Sequence, residues 1–402
     1  MIPHLIAVAL LATAAAAHAQ LAVRGDTVYT MAGAPVRDGV VLIEGAKIRQ
    51  VGPASAVQVP AGWRTLRAKV VTPGLVDAHT VVGLAGYLNQ PHDQDQVERN
   101  AAMQPELRAI DAYNPRETLV EYVRSYGVTT IHTGHGPGQL ISGQTMVVKT
   151  AGRTVEEALL RPAAMVAATL GEGARATQGR SPGTRSKMIA LLRAELIKAR
   201  EYADKATKAQ KGSEPARDLH LETLAQVLKG DLPLLVTVHR SHDILTALRL
   251  GKEFGLKMVL DGAAEAHDVL PQIRESGYPV IVHPTMARAN GDTENLSLET
   301  AAKLEAARIP FAMQSGLEGY VPKTRVVLFE AAVAAANGLG FEAALGSVTI
   351  AAARLLGVAD RVGSLEKGKD ADLALYDGDP FEYATHCTGV VLNGLVVSEA
   401  VR

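Results

Sequence analysis

The sequence predicts an α/β fold: a (β/α)8 barrel of the TIM type, with a small β-domain assembled from both chain ends. Three observations predict it. Apolar runs alternate with helical segments through the centre, and the two ends share a hairpin-rich texture that the centre lacks. No Gly-x-Gly-x-x-Gly turn follows a strand, which counts against the competing doubly wound open sheet.

Taken in order, Leu5 to Ala17 is an unbroken apolar and small run closed by Ala17-His18-Ala19, the small-x-small form cut by a signal peptidase. The run is too short to span a bilayer, which takes about 20 apolar residues. Residues 1–19 read as an export signal, placing the mature chain in the periplasm or outside the cell, with no membrane contact after cleavage. Residues 20–69 and 361–402 are the β-domain. Val40–Ile43 and Ile48–Val51 flank the turn Glu44-Gly45-Ala46-Lys47, and Asp372–Tyr376 and Thr388–Leu392 are strands, with Asn393-Gly394 as a hairpin turn. Residues 70–360 are the barrel. Its parallel strands are Val70–Val76, Val128–Ile131, Met146–Val148, Met165–Ala168, Leu234–Val238, Met258–Leu260, Val280–Val282 and Phe311–Met313. Asn114-Pro115 opens one helix, Ser241 another; Gly127, Gly255 and Gly277 close helices, and 185–207 is a long amphipathic helix. The polar stretches 86–113 and 170–184 follow strands and belong at the barrel's functional face.

The net charge of −1 excludes a role in nucleic-acid or membrane-surface binding driven by bulk charge. The single cysteine, Cys387, excludes an intrachain disulfide and reads as a small buried hydrophobe.

The run Arg361-Val362-Gly363-Ser364-Leu365-Glu366-Lys367-Gly368-Lys369-Asp370-Ala371-Asp372-Leu373 closely resembles the stretch that returns amidohydrolase-superfamily chains from barrel to β-domain. Ala351–Gly357 resembles the last barrel helix of that superfamily, and Thr72–Asp77 its first strand. Leu170-Gly171-Glu172 is similar to a segment of the imidazolonepropionase-like branch. The resemblance implies a barrel plus a small β-sandwich, and hydrolysis of a carbon–nitrogen bond in a small amide, cyclic amide or peptide-like substrate.

It also implies metal ligands at the strand ends. The first strand of the superfamily ends in His-x-His, and here has His79 and Val81, an alkyl group that cannot coordinate. The fourth places Ala167 at a ligand position, the fifth keeps His239, and the sixth has Asp261 for histidine. The eighth has Gln314 for the catalytic aspartate, and an amide cannot take a proton near pH 7. What remains suits one divalent metal, zinc by ligand type, held by His79 and His239 with His283 or His135 nearby, and with Asp261 as ligand or catalytic base. Three readings stay open: a hydrolase with a reduced, mononuclear metal site; a non-catalytic barrel that binds a small molecule or a partner subunit; and metal-free chemistry by Asp261 with a rim histidine. A homo-oligomer is compatible with each.

Overall fold

The computed structural model describes residues 20–88, 90–176, 181–213, 215–285, 289–316 and 327–402. The expected export signal, residues 1–19, lies outside them. The chain begins with strands β1 (Gln20–Val28), β2 (Val36–Glu44), β3 (Lys47–Pro53) and β4 (Arg64–Pro73). The centre supplies β5 (Leu75–Thr80), β6 (Val128–Gly134), β7 (Ile141–Lys149), β8 (Leu159–Arg161) and β9 (Val166–Thr169). It continues with β10 (Leu234–Val238), β11 (Met258–Gly262), β12 (Val280–Val282) and β13 (Phe311–Met313). The chain ends with β14 (Leu373–Tyr376), β15 (Cys387–Leu392) and β16 (Leu395–Ser398).

The two chain ends build one sheet in the order β16-β15-β14-β4-β1-β2-β3. Both expected hairpins are present: Glu44 pairs with Lys47 across Gly45-Ala46, and Asn393 and Gly394 adopt the positive φ of 50° and 76° that a tight turn needs. The sheet curls until its outer hairpins meet, because a Cβ on Gly394 would fall 1.9 Å from the Gly45 carbonyl oxygen. Its two halves enclose a core of Val23, Ile43, Ile48, Val71, Leu373 and Val391.

The central strands form a nearly closed barrel in the order β5-β6-β7-β9-β10-β11-β12-β13, with β8 beside β7. A parallel bridge between Thr80 and Gly316 brings the last strand back to the first. Two expectations need correction. The apolar run 70–76 divides at Gly74: its first half extends β4 in the terminal sheet, and its second half enters the barrel. A Cβ at Gly74 would lie 2.1 Å from Thr129 Oγ1, so only glycine lets the chain pass there. Second, β7 runs antiparallel to both neighbours. The six residues 135–140 between β6 and β7 are too few for the crossover of about a dozen that a parallel return requires.

The barrel helices include α1 (Thr118–Ser125), α2 (Val155–Ala158), α3 (Arg185–Lys208), α4 (Leu219–Lys229) and α5 (Ser241–Phe254). They are followed by α6 (Leu270–Ser276), α7 (Thr300–Ala306), α8 (Val327–Ala334), α9 (Phe341–Ser347) and α10 (Ile350–Leu355). Thr184 caps α3 by accepting from Lys187 N, and Asp218 caps α4 by accepting from Leu221 N. Gly255 and Gly277 close α5 and α6 in the left-handed region, as their sequence positions require. The first of these helices starts later than Asn114: the Asn114 side chain accepts from Arg116 N in a local turn, and Glu117 is the cap. Segment 102–107 lies along the upper end of β7, with Gln104 N and Gln144 N donating to the Ile141 and Leu107 carbonyls. No described helix is long and apolar enough to cross a membrane.

At the foot of the barrel, Lys149 ties the two parts together. Its buried ammonium lies 2.8 Å from both Asp370 Oδ2 and Asp372 Oδ2 of the terminal segment. The lumen has two tiers. The lower is apolar: Val76, Ala78, Val147, Met165, Leu235, Val259, Ile281 and Ala312, sealed from below by α10. The upper tier is polar and carries the candidate site.

Candidate active site

Strand parity decides which side chains reach the upper tier. Thr237, Asp261, His283 and Gln314 each lie two residues beyond a lumen residue of the lower tier, namely Leu235, Val259, Ile281 and Ala312. They therefore face the lumen. His79 is out of phase with Val76 and Ala78. It reaches the lumen where the β5–β6 register slips between Asp77 and Thr80, a bulge that re-aims the side chain.

Asp261 is the hub. Its Oδ1 accepts from His79 Nδ1 at 3.0 Å and from Gln314 Nε2 at 2.9 Å, while Oδ2 accepts from Thr237 Oγ1 at 2.6 Å. A carboxylate only accepts, so His79 carries a proton on Nδ1, and whenever the ring is neutral its lone pair is on Nε2. His79 Nε2 is buried and has no hydrogen-bond partner among the described residues. Burial alone would raise the Asp261 carboxyl, but the charge and hydrogen bond of His79, the Thr237 hydroxyl and the charge of His239 hold it below the usual carboxylate range. Burial alone would lower the His79 imidazole, and Asp261 together with Asp77 lifts it above its ordinary value.

Around this pair the upper tier is arranged in layers. His132 lies over His79 with ring centroids 5.7 Å apart. Its Nδ1 lies 2.7 Å from the Ala78 carbonyl, which only accepts and so holds a proton on Nδ1, and its Nε2 lies 2.6 Å from Thr145 Oγ1. Burial, then the charge of His79, pushes it down to about 3. Asp77 is fully buried and fastens β5 to the end of β13, accepting from the hydroxyl and the backbone N–H of Ser315. Burial raises it to about 6 against those hydrogen bonds.

The expected ligands meet only in part. His79 and Asp261 are bonded to each other. His239 stands beside them at the end of β10, held low by burial against the opposing charges of Asp261 and Asp292, and its Nδ1 is buried without a partner among the described residues. It sits directly over Gly262, whose φ is +78° and where a Cβ would fall 2.4 Å from the His239 ring. His283 is next to His239, lowered to about 4 by burial, and its Nε2 lies 3.4 Å from Thr300 Oγ1. His135 packs on Gly143 and faces Gln96 and Asp95 of the 86–113 segment.

No group of three or more His, Cys, Asp or Glu side chains among the described residues is disposed to hold a metal ion. A catalytic zinc takes three protein donors and leaves a fourth position open. The third expected donor, Asp261, lies against Nδ1 of His79, on the opposite side of that ring from the free Nε2. The residues therefore do not complete the expected metal site of His79, His239 and Asp261 with His283 or His135. What Asp261 and His79 do form is a carboxylate–imidazole pair with a bare outer nitrogen, an arrangement suited to accepting and returning a proton. Thr237, Asp77 and Ser315 were not legible as site residues. Asp77, two residues before His79 on an otherwise apolar strand, was the one available signal.

The family model described as "Amidohydrolase family" matches residues 70–398. The chain is 27% identical over 375 residues to the amidohydrolase tasK of Hapsidospora irregularis, covering 85% of this chain and 38% of that protein, so it spans well under half of that relative's length. It is 25% identical over 381 residues to an imidazolonepropionase of Stenotrophomonas maltophilia (strain R551-3), covering 86% and 87% of the two chains. The solved structure of an amidohydrolase from Thermotoga maritima MSB8 superposes with a TM-score of 0.89 at 28% identity, over 95% of this chain and 100% of that one.

Proposed function

Because the chain belongs to the amidohydrolase family, we propose that it hydrolyses a carbon–nitrogen bond in a small amide or cyclic amide, with the Asp261–His79 pair as its proton-transfer device. The observation that carries the reading is the 3.0 Å contact between His79 Nδ1 and Asp261 beside a buried, unpartnered His79 Nε2. In this reading Nε2 takes the proton of the attacking water, Asp261 steadies the resulting imidazolium, and the ring returns the proton to the departing nitrogen. His239, kept neutral, offers a second imidazole to polarise the carbonyl. The apolar lower tier closes the lumen from beneath and keeps bulk water from the pair. We propose that residues 1–19, whose apolar run and Ala17-His18-Ala19 have the form of an export signal, direct this activity out of the cytoplasm.

Members of the family generally bind divalent metals. A second reading follows from the two unpartnered nitrogens, His79 Nε2 and His239 Nδ1: they hold a single divalent ion with too few protein donors to keep it resident. A third, a non-catalytic barrel that binds a ligand or a partner, rests on Val81 and Gln314. Elemental mass spectrometry on untagged protein never exposed to chelator separates them. The first reading gives no stoichiometric metal together with hydrolysis in chelator. A stoichiometric metal that is lost in His239→Ala overturns it in favour of a rebuilt metal site. Absence of both metal and turnover favours the third.

A further inference from the structure

We infer that Gln314 and Thr237 are positioning residues that set the tautomer of His79 by acting through Asp261, an inference that rests on the reading of His79 as proton acceptor. Neither side chain is bonded to His79. Thr237 reaches Asp261 from the neighbouring strand, where the two residues are register partners, and takes Oδ2 at 2.6 Å. Gln314 reaches it across the lumen from β13, past β12, and takes Oδ1 at 2.9 Å.

The terminal torsion of an aspartate is broad, so a carboxylate held by a single partner swings readily. Two donors on different oxygens, arriving from different strands, pin its plane. The remaining lone pair of Oδ1 is then aimed at His79 Nδ1, where only an N–H is tolerated: an unprotonated Nδ1 would set lone pair against lone pair at 3.0 Å. The proton is confined to Nδ1 and the lone pair to Nε2. His132, layered on the ring, limits tilting but offers His79 no competing polar atom, since both its nitrogens are engaged with Ala78 and Thr145. Gln314 is 3% exposed and makes its hydrogen bond as a donor. A carboxylate at 314 would present Oδ1 with like charge in place of a donor, so the neutral amide at 314 and the carboxylate at 261 work as a matched pair.

The test reads the ring directly. Full-length protein labelled with 15N in its histidine rings is freed of metal with chelator. Long-range 1H–15N correlation is then recorded at a pH high enough for His79 to be neutral, with His79→Gln identifying its signals. Wild type is expected to show His79 with the proton on Nδ1. Gln314→Met, similar in length and without the amide, is expected to move His79 to a mixture of both tautomers. Thr237→Val does the same from the other oxygen and serves if the methionine variant does not fold. Where a substrate is in hand, Gln314→Met lowers kcat about tenfold with KM unchanged. A wild-type proton on Nε2, or His79 signals unchanged in the variants, overturns the inference. The two levels fail separately. A correct tautomer in a protein that hydrolyses nothing sinks the hydrolase reading alone, and hydrolysis with an indifferent tautomer sinks this one.

Discussion

His132 gives the sharpest energetic prediction. It is fully buried, neutral and satisfied on both ring nitrogens, and its folded-state pKa of about 3 lies far below the ordinary 6.5. A histidine whose folded pKa is depressed contributes stability that is present above 6.5 and is lost as pH falls from there toward 3, because only the unfolded chain takes up the proton. Between pH 7 and pH 5 the unfolded imidazole becomes almost fully charged, which amounts to about 2 kcal/mol for this group. For a chain of 402 residues the unfolding entropy is close to 0.8 kcal/mol per kelvin, so about 2 °C of melting temperature is at stake. The perturbation is His132→Gln, whose amide can supply one donor and one acceptor without titrating. Scanning calorimetry at pH 7 and pH 5 is the assay. Wild type should fall further than the variant over that interval, by about 2 °C attributable to His132. His283, lowered to about 4, adds a loss of similar size to both proteins, and Asp77, raised to about 6, returns part of it as it protonates below pH 6. Neither affects the difference. Equal shifts in the two proteins would refute the neutral, buried His132 and with it the layering over His79.

Three further outcomes follow from particular contacts. Gly262→Ala puts a Cβ at positive φ and against the His239 ring, so it should displace that imidazole, cost about 1–2 kcal/mol and abolish any calorimetric binding of Zn2+ that His239 supports. Ser315→Ala removes a hydroxyl donor from the buried Asp77 carboxylate, which should lower stability at pH 8 by about 1.5–3 kcal/mol, and by less at pH 5, where Asp77 is protonated; thermal melts at the two pH values read this. Lys149→Met leaves the buried Asp372 carboxylate without its cation, while Asp370 beside it keeps Lys47 and Arg361. It should cost about 3–5 kcal/mol and raise hydrogen exchange in β14 and at the foot of β7 before the rest of the barrel.

The barrel was legible because its strands are short apolar runs with little ambiguity: Leu234–Val238 and Val280–Val282 coincide with strands β10 and β12. The direction of β7 was also within reach of the sequence, since His135 to Leu140 contains no room for a helix, but periodicity carries no information on direction. The start of α1 was misplaced because Asn114-Pro115 has the composition of a cap and is in fact a preceding turn. At the site, the positions of His79, His239, Asp261 and Gln314 followed from the resemblance. Their mutual bonding did not. It depends on a bulge in β5 that turns His79 inward and on reaches across the lumen, such as that of Gln314 to Asp261, between residues 53 apart in sequence. A neutral amide and a carboxylate each read as losses when judged singly and become complementary only when placed face to face.

In the proposed chemistry His79 and Asp261 act together on a carbon–nitrogen bond. The most direct test is turnover of a panel of small amides and cyclic imides by full-length protein in the presence of chelator, with Asp261→Asn and His79→Ala measured beside it. Turnover by wild type, reduced at least about a hundredfold in both variants while their melting temperatures stay near that of wild type, is the expected result. No turnover by wild type, with or without added Zn2+, or turnover that survives both substitutions, would contradict it.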